Sequence, residues 1–150
     1  MISSTLLSEF VLFKDLPTPL LEKIAAIGEE HSARQGDCIF REGEKADKLH
    51  FLVSGSVALR VKLTSKPQQV TVSFVGKPYE SFGWSGIVPP YHYTASAECE
   101  EDTKFLVIPS APFMKLLEGD HQSGFVVMQR ITEIIADRLR NSRQALLKTM

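Results

Sequence analysis

The decisive stretch runs Gln35-Gly36-Asp37-Cys38-Ile39-Phe40-Arg41-Glu42-Gly43-Glu44 and resumes as Leu49-His50-Phe51-Leu52-Val53-Ser54-Gly55-Ser56-Val57. Short apolar runs alternate with glycines set beside Gln, Asp, Glu or Ser. Each glycine permits a tight turn or a positive φ that a Cβ would resist. The same rhythm continues downstream. Val57, Leu59, Val61 and Leu63 alternate with Ser56, Ala58, Arg60 and Lys62, Val70, Val72 and Phe74 with Thr71 and Ser73, and Ala95, Ala97 and Cys99 with Ser96 and Glu98. Ser65-Lys66-Pro67 and Gly76-Lys77-Pro78 read as further turns. Many short period-two segments over residues 32–109 predict an antiparallel β-roll of jelly-roll type.

The flanks are helical. Residues 1–30 carry Leu6, Leu7, Phe10, Val11 and Phe13 at helical spacing, followed by a break at Asp15-Leu16-Pro17. Thr18 before Pro19 reads as an N-cap with proline at the first helical position, and Gly28 as the stop of the helix through Leu20, Leu21 and Ile24. In residues 110–150, Ser110 caps a short helix and Asp120 a long one with Phe125, Met128, Ile131, Ile135, Leu139 and Leu146 on one broad face. The expected class is therefore α+β: a β-roll between N-terminal helices and a long C-terminal helix, one domain over residues 1–150.

With its 150 residues, 43% hydrophobic content and net charge of −1, the chain is neither disordered nor globally attracted to nucleic acid or a membrane. The N-terminus has no basic leader, and the longest apolar runs fall far short of a bilayer span, so a cytoplasmic protein is expected. Two cysteines, Cys38 and Cys99, make no disulfide framework and read as inert core thiols.

The ordered glycines of residues 35–57 resemble the opening hairpins of the cyclic nucleotide-binding domain family, which includes the sensor domains of catabolite activator-type regulators. The resemblance continues at Ser81-Phe82-Gly83-Trp84-Ser85-Gly86-Ile87, where the family's phosphate-binding cassette would sit, and closes with Thr94-Ala95-Ser96-Ala97 and Phe105-Leu106-Val107-Ile108-Pro109. It implies a non-enzymatic sensor, no resident cofactor, and a cyclic nucleotide or another small anionic ligand held by the cassette over residues 81–97. Its candidate site residues are Phe82, Gly83, Trp84, Ser85, Gly86, Tyr91, His92, Tyr93 and Thr94. Backbone N–H groups of a short helix would face the phosphate, with Gly83 and Gly86 allowing close approach.

The resemblance is incomplete where the family's charges should stand. Its ribose-binding glutamate position is Trp84, and its phosphate-pairing arginine, counted back from Thr94 and Ala97, falls on Tyr91. The loop between them is shortened and stiffened by Pro89-Pro90. Losing a charge-assisted contact costs on the order of 1.5–3 kcal/mol, so standard high-affinity cyclic AMP binding is not expected. Two readings stay open. In one, Trp84 and a tyrosine stack a planar ligand while His92 and the short-helix N–H groups hold an anion; in the other, the aromatics plug the pocket and leave a ligand-free interaction or dimerisation scaffold.

Rival chemistries find less support. A cupin-type metalloenzyme needs clustered histidines, whereas His31, His50, His92 and His121 are scattered. A haem-binding relative would need His92 or His50 as an axial ligand. Phe82-Gly83-Trp84-Ser85-Gly86 does not make a nucleophile elbow around Ser85. Residues 130–150 carry five basic side chains against Glu133 and Asp137, read as a solvated, dipole-complementing tail. The first half of the long helix's apolar face is expected to pack on the roll. Its later half should pair with a second copy or a protein partner. Direct DNA binding is not expected, since the chain stops where the helix-turn-helix of such regulators would begin.

Overall fold

The structure is a computed structural model that describes residues 2–63 and 69–148; the expected turn at Ser65-Lys66-Pro67 lies outside the described residues. Helices α1 (Ser4–Leu7) and α2 (Thr18–Ile27) precede strands β1 (Glu29–Ala33), β2 (Cys38–Phe40), β3 (Lys48–Ser54), β4 (Val57–Lys62), β5 (Gln69–Val75), β6 (Ser81–Phe82), β7 (Ser96–Cys99) and β8 (Thr103–Pro109). Helices α3 (Ser110–Glu118) and α4 (His121–Lys148) follow. The strands form two four-stranded antiparallel sheets, ordered β1-β8-β3-β6 and β2-β7-β4-β5. This is the predicted α+β class.

Strand periodicity explains why there are two cores. In β3 and β8, Leu49, Phe51, Leu106 and Ile108 face the helices and join Phe10, Phe13 and Phe113. Their neighbours Leu52, Phe105 and Val107 face the other sheet, meeting Val57, Leu59, Val75 and Ala97 inside the roll. The sheet β1-β8-β3-β6 is therefore apolar on both sides, and its central strands read as continuous hydrophobic runs. Gly55 closes the β3–β4 hairpin at φ +100°, and a Cβ there would come within 2.6 Å of the Asp102 carbonyl. On the outer face of the other sheet, Arg60 donates to Glu98 and Glu100, each at 2.9 Å.

Several local expectations change. The stretch from Leu6 to Phe13 is not one helix: α1 ends at Leu7, and Val11–Phe13 forms a 3-10 turn. Phe10 and Phe13 are both fully buried. Pro17, not Thr18, precedes α2, so Thr18 is its first residue and makes no cap with its side chain. Gly28 does end α2, but in extended conformation; the missing side chain matters because Ile2 occupies its space. Asp120 caps α4 as expected, accepting from the Ser123 N–H at 3.2 Å and the Ser123 hydroxyl at 2.8 Å.

The packing face of α4 is the larger correction. Ser123, Val127 and Ile131 are buried, with Ile134 partly so, whereas Phe125 is 70% exposed and Leu139 60%. Ile131 is buried and Met128 packs against the core as predicted, but the buried line runs through Ser123 and Val127 and leaves Phe125, Ile135, Leu139 and Leu146 outside. It is held by Arg130, which donates to the carbonyls of Leu12 (3.2 Å) and Lys14 (2.6 Å). Among the described residues no helix is long and apolar enough to cross a membrane.

Candidate functional site

The cassette begins at the end of β6. Gly83 adopts φ +76°, a left-handed conformation that favours glycine, and starts a four-residue 3-10 turn over Trp84–Ile87. An ideal Cβ on Gly83 would lie 2.8 Å from His50 Nδ1 and 3.1 Å from the Phe40 ring. The left-handed turn therefore lets the chain pass over two interior rings. Gly86 serves protein packing too: a Cβ there would collide with the Ser110 hydroxyl and approach the Lys48 carbonyl to 3.1 Å. What comes close to both glycines is the protein's own interior.

Apart from Gly83, the candidate residues separate into three places. Phe82 and Tyr93 are buried inside the roll. The Tyr93 ring stacks on Phe40 at 3.9 Å with a 12° interplanar angle, and its hydroxyl donates to the Lys48 carbonyl at 3.4 Å. Phe82 lies 5.3 Å from the His50 ring and 6.1 Å from Phe40. These rings, with Phe105, fill the interior.

Trp84, Ser85 and Gly86 sit on the helical side. The Trp84 indole N–H donates to the Ser81 hydroxyl at 3.1 Å, and the ring packs against the core beneath the helices. Above it, the Arg138 guanidinium of α4 lies 4.1 Å from the ring centroid. Arg138 also donates to the Ser81 carbonyl and lies 3.9 Å from the Glu80 carboxylate. Burial lowers its pKa to about 10, with Glu80 opposing, which leaves it charged at neutral pH.

Tyr91, His92 and Thr94 lie on the outside. Tyr91 is 45% exposed and stands at φ +61°. His92 Nδ1 donates to the Pro90 carbonyl at 2.9 Å, and its backbone bridges to Lys45. Backbone bonds from Ala46 to Tyr91 (2.7 Å), Tyr93 to Glu44 (2.9 Å) and Gly43 to Tyr93 (2.8 Å) fasten this loop to the β2–β3 turn. The side chain directed inward at the end of the loop is thus Tyr93. Tyr91, the position counted for the arginine, faces out.

The interior holds one titratable group that sequence reasoning did not place there. His50 is 4% exposed, lies among Phe40, Phe82, Phe105 and Tyr93, and its Nδ1 has no hydrogen-bond partner. Burial, then the Lys48 ammonium and the nearby His31, pushes its pKa down to about 3, so the imidazole is neutral. Burial likewise raises Tyr93 to about 12, with Asp47 and Glu44 adding to it. Period two along β3 was the available signal, since it sets His50 on the face of Leu52. No comparable signal marked Arg138, whose neighbours come from distant segments.

A model of the cyclic nucleotide-binding domain matches residues 30–120. The chain belongs to the cyclic nucleotide-binding domain family. The domain is similar over 93% of its length to a solved protein of cyclic nucleotide-binding type from Geobacter metallireducens GS-15, covering 99% of that chain at 34% identity and a TM-score of 0.80. Catabolite activator protein from Thermus thermophilus matches over 90% of the domain and 61% of its own chain, at 25% identity and a TM-score of 0.71. The sensor domain of the transcriptional regulator DNR from Pseudomonas aeruginosa shares the fold, with a TM-score of 0.76 at 17% identity and 91% coverage of both chains. No curated protein matches the sequence. Within this family the roll and cassette are regulatory parts, and here the cassette of residues 81–97 contains no acidic residue, arginine or lysine.

Proposed function

We propose that this cyclic nucleotide-binding domain is a non-enzymatic regulatory module that does not hold cyclic AMP in the standard way and whose output runs through α4. The observation that carries the reading is the Tyr93–Phe40 stack at 3.9 Å inside the roll. A phenol and a phenyl ring occupy the interior beside the cassette, and neither offers charge to a phosphate. Restoring a site would require expelling buried aromatic surface, and each such side chain contributes roughly 1.5–3 kcal/mol by its burial. No arginine of the cassette repays that cost.

The output surface is the outer face of α4. Phe125, Ile135 and Leu139 are exposed and follow a heptad-like order with Met128 and Thr132 between them. A self-complementary stripe of this kind suits a second copy of the same chain, and the proposed pairing is a homodimer along α4. Arg138 on the same helix grips the cassette turn through Trp84 and Ser81, so a shift of α4 and a change in the cassette are mechanically joined. Thermal denaturation with cyclic AMP and cyclic GMP tests the reading. An unchanged midpoint at low micromolar nucleotide is expected, and a clear upward shift would overturn it.

A further inference from the structure

We propose that Glu80, Ser81 and Trp84, at the head of the cassette, form a binding site for a guanidinium cation, which the chain's own Arg138 fills in this structure and vacates when the distal part of α4 lifts. The proposal goes beyond the reading above and does not depend on it. The roll can refuse cyclic nucleotide whether or not these residues accept a second guanidinium.

The site presents acceptors where a phosphate site presents donors. The Ser81 carbonyl accepts from Arg138, the Glu80 carboxylate lies 3.9 Å from the same guanidinium, and the Trp84 ring centre lies 4.1 Å from it. A carbonyl, a carboxylate and the negative face of an indole all attract a cation. They are also held in place by the roll. Ser81 pairs with Phe51 between β6 and β3, and its hydroxyl accepts the Trp84 indole N–H at 3.1 Å, which sets the ring. A planar guanidinium stacks on such a ring and keeps its N–H groups free at the edge, which a compact ammonium does not.

Arg138 fills this site incompletely. Among the described residues its buried Nη1 has no hydrogen-bond partner, and 3.9 Å to Glu80 is longer than a hydrogen bond. A guanidinium free of α4 can approach Glu80 closely and form paired N–H···O bonds. A cleft of about 380 Å³, lined by Phe74, Tyr79, Glu80, Ile134 and Arg138 among others, opens beside it. The arm that carries Arg138 is lightly held. Arg130 fastens the first part of α4 to the Leu12 and Lys14 carbonyls, and Ile131 is the last buried residue of the helix. Beyond it, among the described residues, Ile134, Arg138 and Ser142 alone are partly covered, and Ser142 donates to the Val72 carbonyl at 3.4 Å. The arm can therefore lift without drawing a buried residue of α4 out of the core, and a competing guanidinium releases it.

Chemical rescue of Arg138→Ala tests the proposal, with methylguanidinium as a free cation and N-acetyl-arginine amide as the side chain of a polypeptide. Methylammonium and sodium chloride at equal ionic strength are the comparators. In the variant, methylguanidinium is expected to change the Trp84 emission saturably and to raise the thermal midpoint. General guanidinium action lowers that midpoint, so the sign separates the two effects. A response to the arginine amide as well assigns the site to a polypeptide partner; a response to methylguanidinium alone assigns it to a small free cation. Adding Glu80→Gln should weaken binding about tenfold. Should Arg138→Ala fold poorly, amide exchange on the native chain decides: methylguanidinium is expected to speed exchange at residues 134–142, where Arg138 is displaced, and to leave residues 123–131 protected. Any of four results overturns the proposal: no saturable change in the variant with either guanidinium compound, methylammonium binding as tightly as methylguanidinium, undiminished binding with Glu80→Gln, or exchange that rises evenly along α4.

Discussion

The Arg138 guanidinium lies 4.1 Å from the centre of the Trp84 ring. Trp84 stands where the resemblance to the family implies a ribose-binding carboxylate, and a buried cation from the last helix covers its ring. Arg138 gains three partners at once: the ring, the Ser81 carbonyl and the Glu80 carboxylate. A desolvated cation over an indole contributes about 2 kcal/mol. Removing Arg138 also strips the Ser81 carbonyl of this donor.

Arg138→Ala is expected to destabilise the fold by about 1–3 kcal/mol. Because Trp84 is the chain's one tryptophan, its emission reports the change directly and should shift to longer wavelength as the ring becomes wetter. Arg138→Lys keeps the charge but loses the planar stack, so its loss should be smaller than that of the alanine variant. Denaturant unfolding followed by tryptophan fluorescence measures both effects.

His50 gives the stability a pH dependence of definite sign. Its pKa is about 3 in the folded chain, against an ordinary value of 6.5. Below pH 6.5 the unfolded chain takes up a proton that the folded chain refuses. This group therefore erodes stability as pH falls from about 6.5 towards 3, by at most about 1.4 kcal/mol per pH unit. His50→Leu should remove that component, so its stability advantage over the native chain should widen on acidification. Urea midpoints measured across that range check the prediction.

Gly86 is predicted to be intolerant of any side chain. A Cβ there meets the Ser110 hydroxyl on one side and the Lys48 backbone at 3.1–3.2 Å on the other. The strand backbone cannot yield as a flexible side chain would. Gly86→Ala should cost about 1–3 kcal/mol, as overpacking of a tight interior does. Gly36→Ala, at φ +89° with nothing within 4 Å, isolates the backbone term alone. It should cost about 1–2 kcal/mol, the penalty of a left-handed conformation. Thermal midpoints of the two variants separate crowding from conformation.

The outer face of α4 carries the proposed pairing. Leu139 is 60% exposed, so Leu139→Asp should leave monomer stability within about 0.5 kcal/mol of the native value. Light scattering coupled to size exclusion should show a dimer for the native chain and a monomer for this variant. A native chain that stays monomeric at high concentration would rule out α4 pairing.

The β-roll was legible because its signals are local: glycines at turns, period two between them, and caps at helix starts. The turn glycines hold at Gly36, Gly43 and Gly55 and the Asp120 cap holds at α4, whereas Pro17 and Pro109 stand where Thr18 and Ser110 were expected to cap α2 and α3. The register of α4 was harder, since Phe125, Ile135 and Leu139 are as apolar as Val127, Ile131 and Ile134. The inward line is fixed by tertiary contacts, among them Arg130 on the Leu12 and Lys14 carbonyls, across more than a hundred residues. The cassette shows the same limit. Its lack of a glutamate and an arginine was plain in the sequence, but the inward residue is Tyr93 and not Tyr91. The loop is fastened by backbone bonds to residues 43–46, with Tyr93 turned in and Tyr91 turned out. Both readings of Trp84, as a ligand platform or as a plug, set it in the pocket; it packs instead beneath a helix whose arginine no local pattern could connect to it.

The most direct test is calorimetric titration of the native chain with cyclic AMP and cyclic GMP. With Tyr93 stacked on Phe40 and no Asp, Glu, Arg or Lys in residues 81–97, neither nucleotide should give saturable heat in the low micromolar range. A one-to-one isotherm with a low micromolar Kd would contradict the filled roll and return the domain to the standard mode of its family.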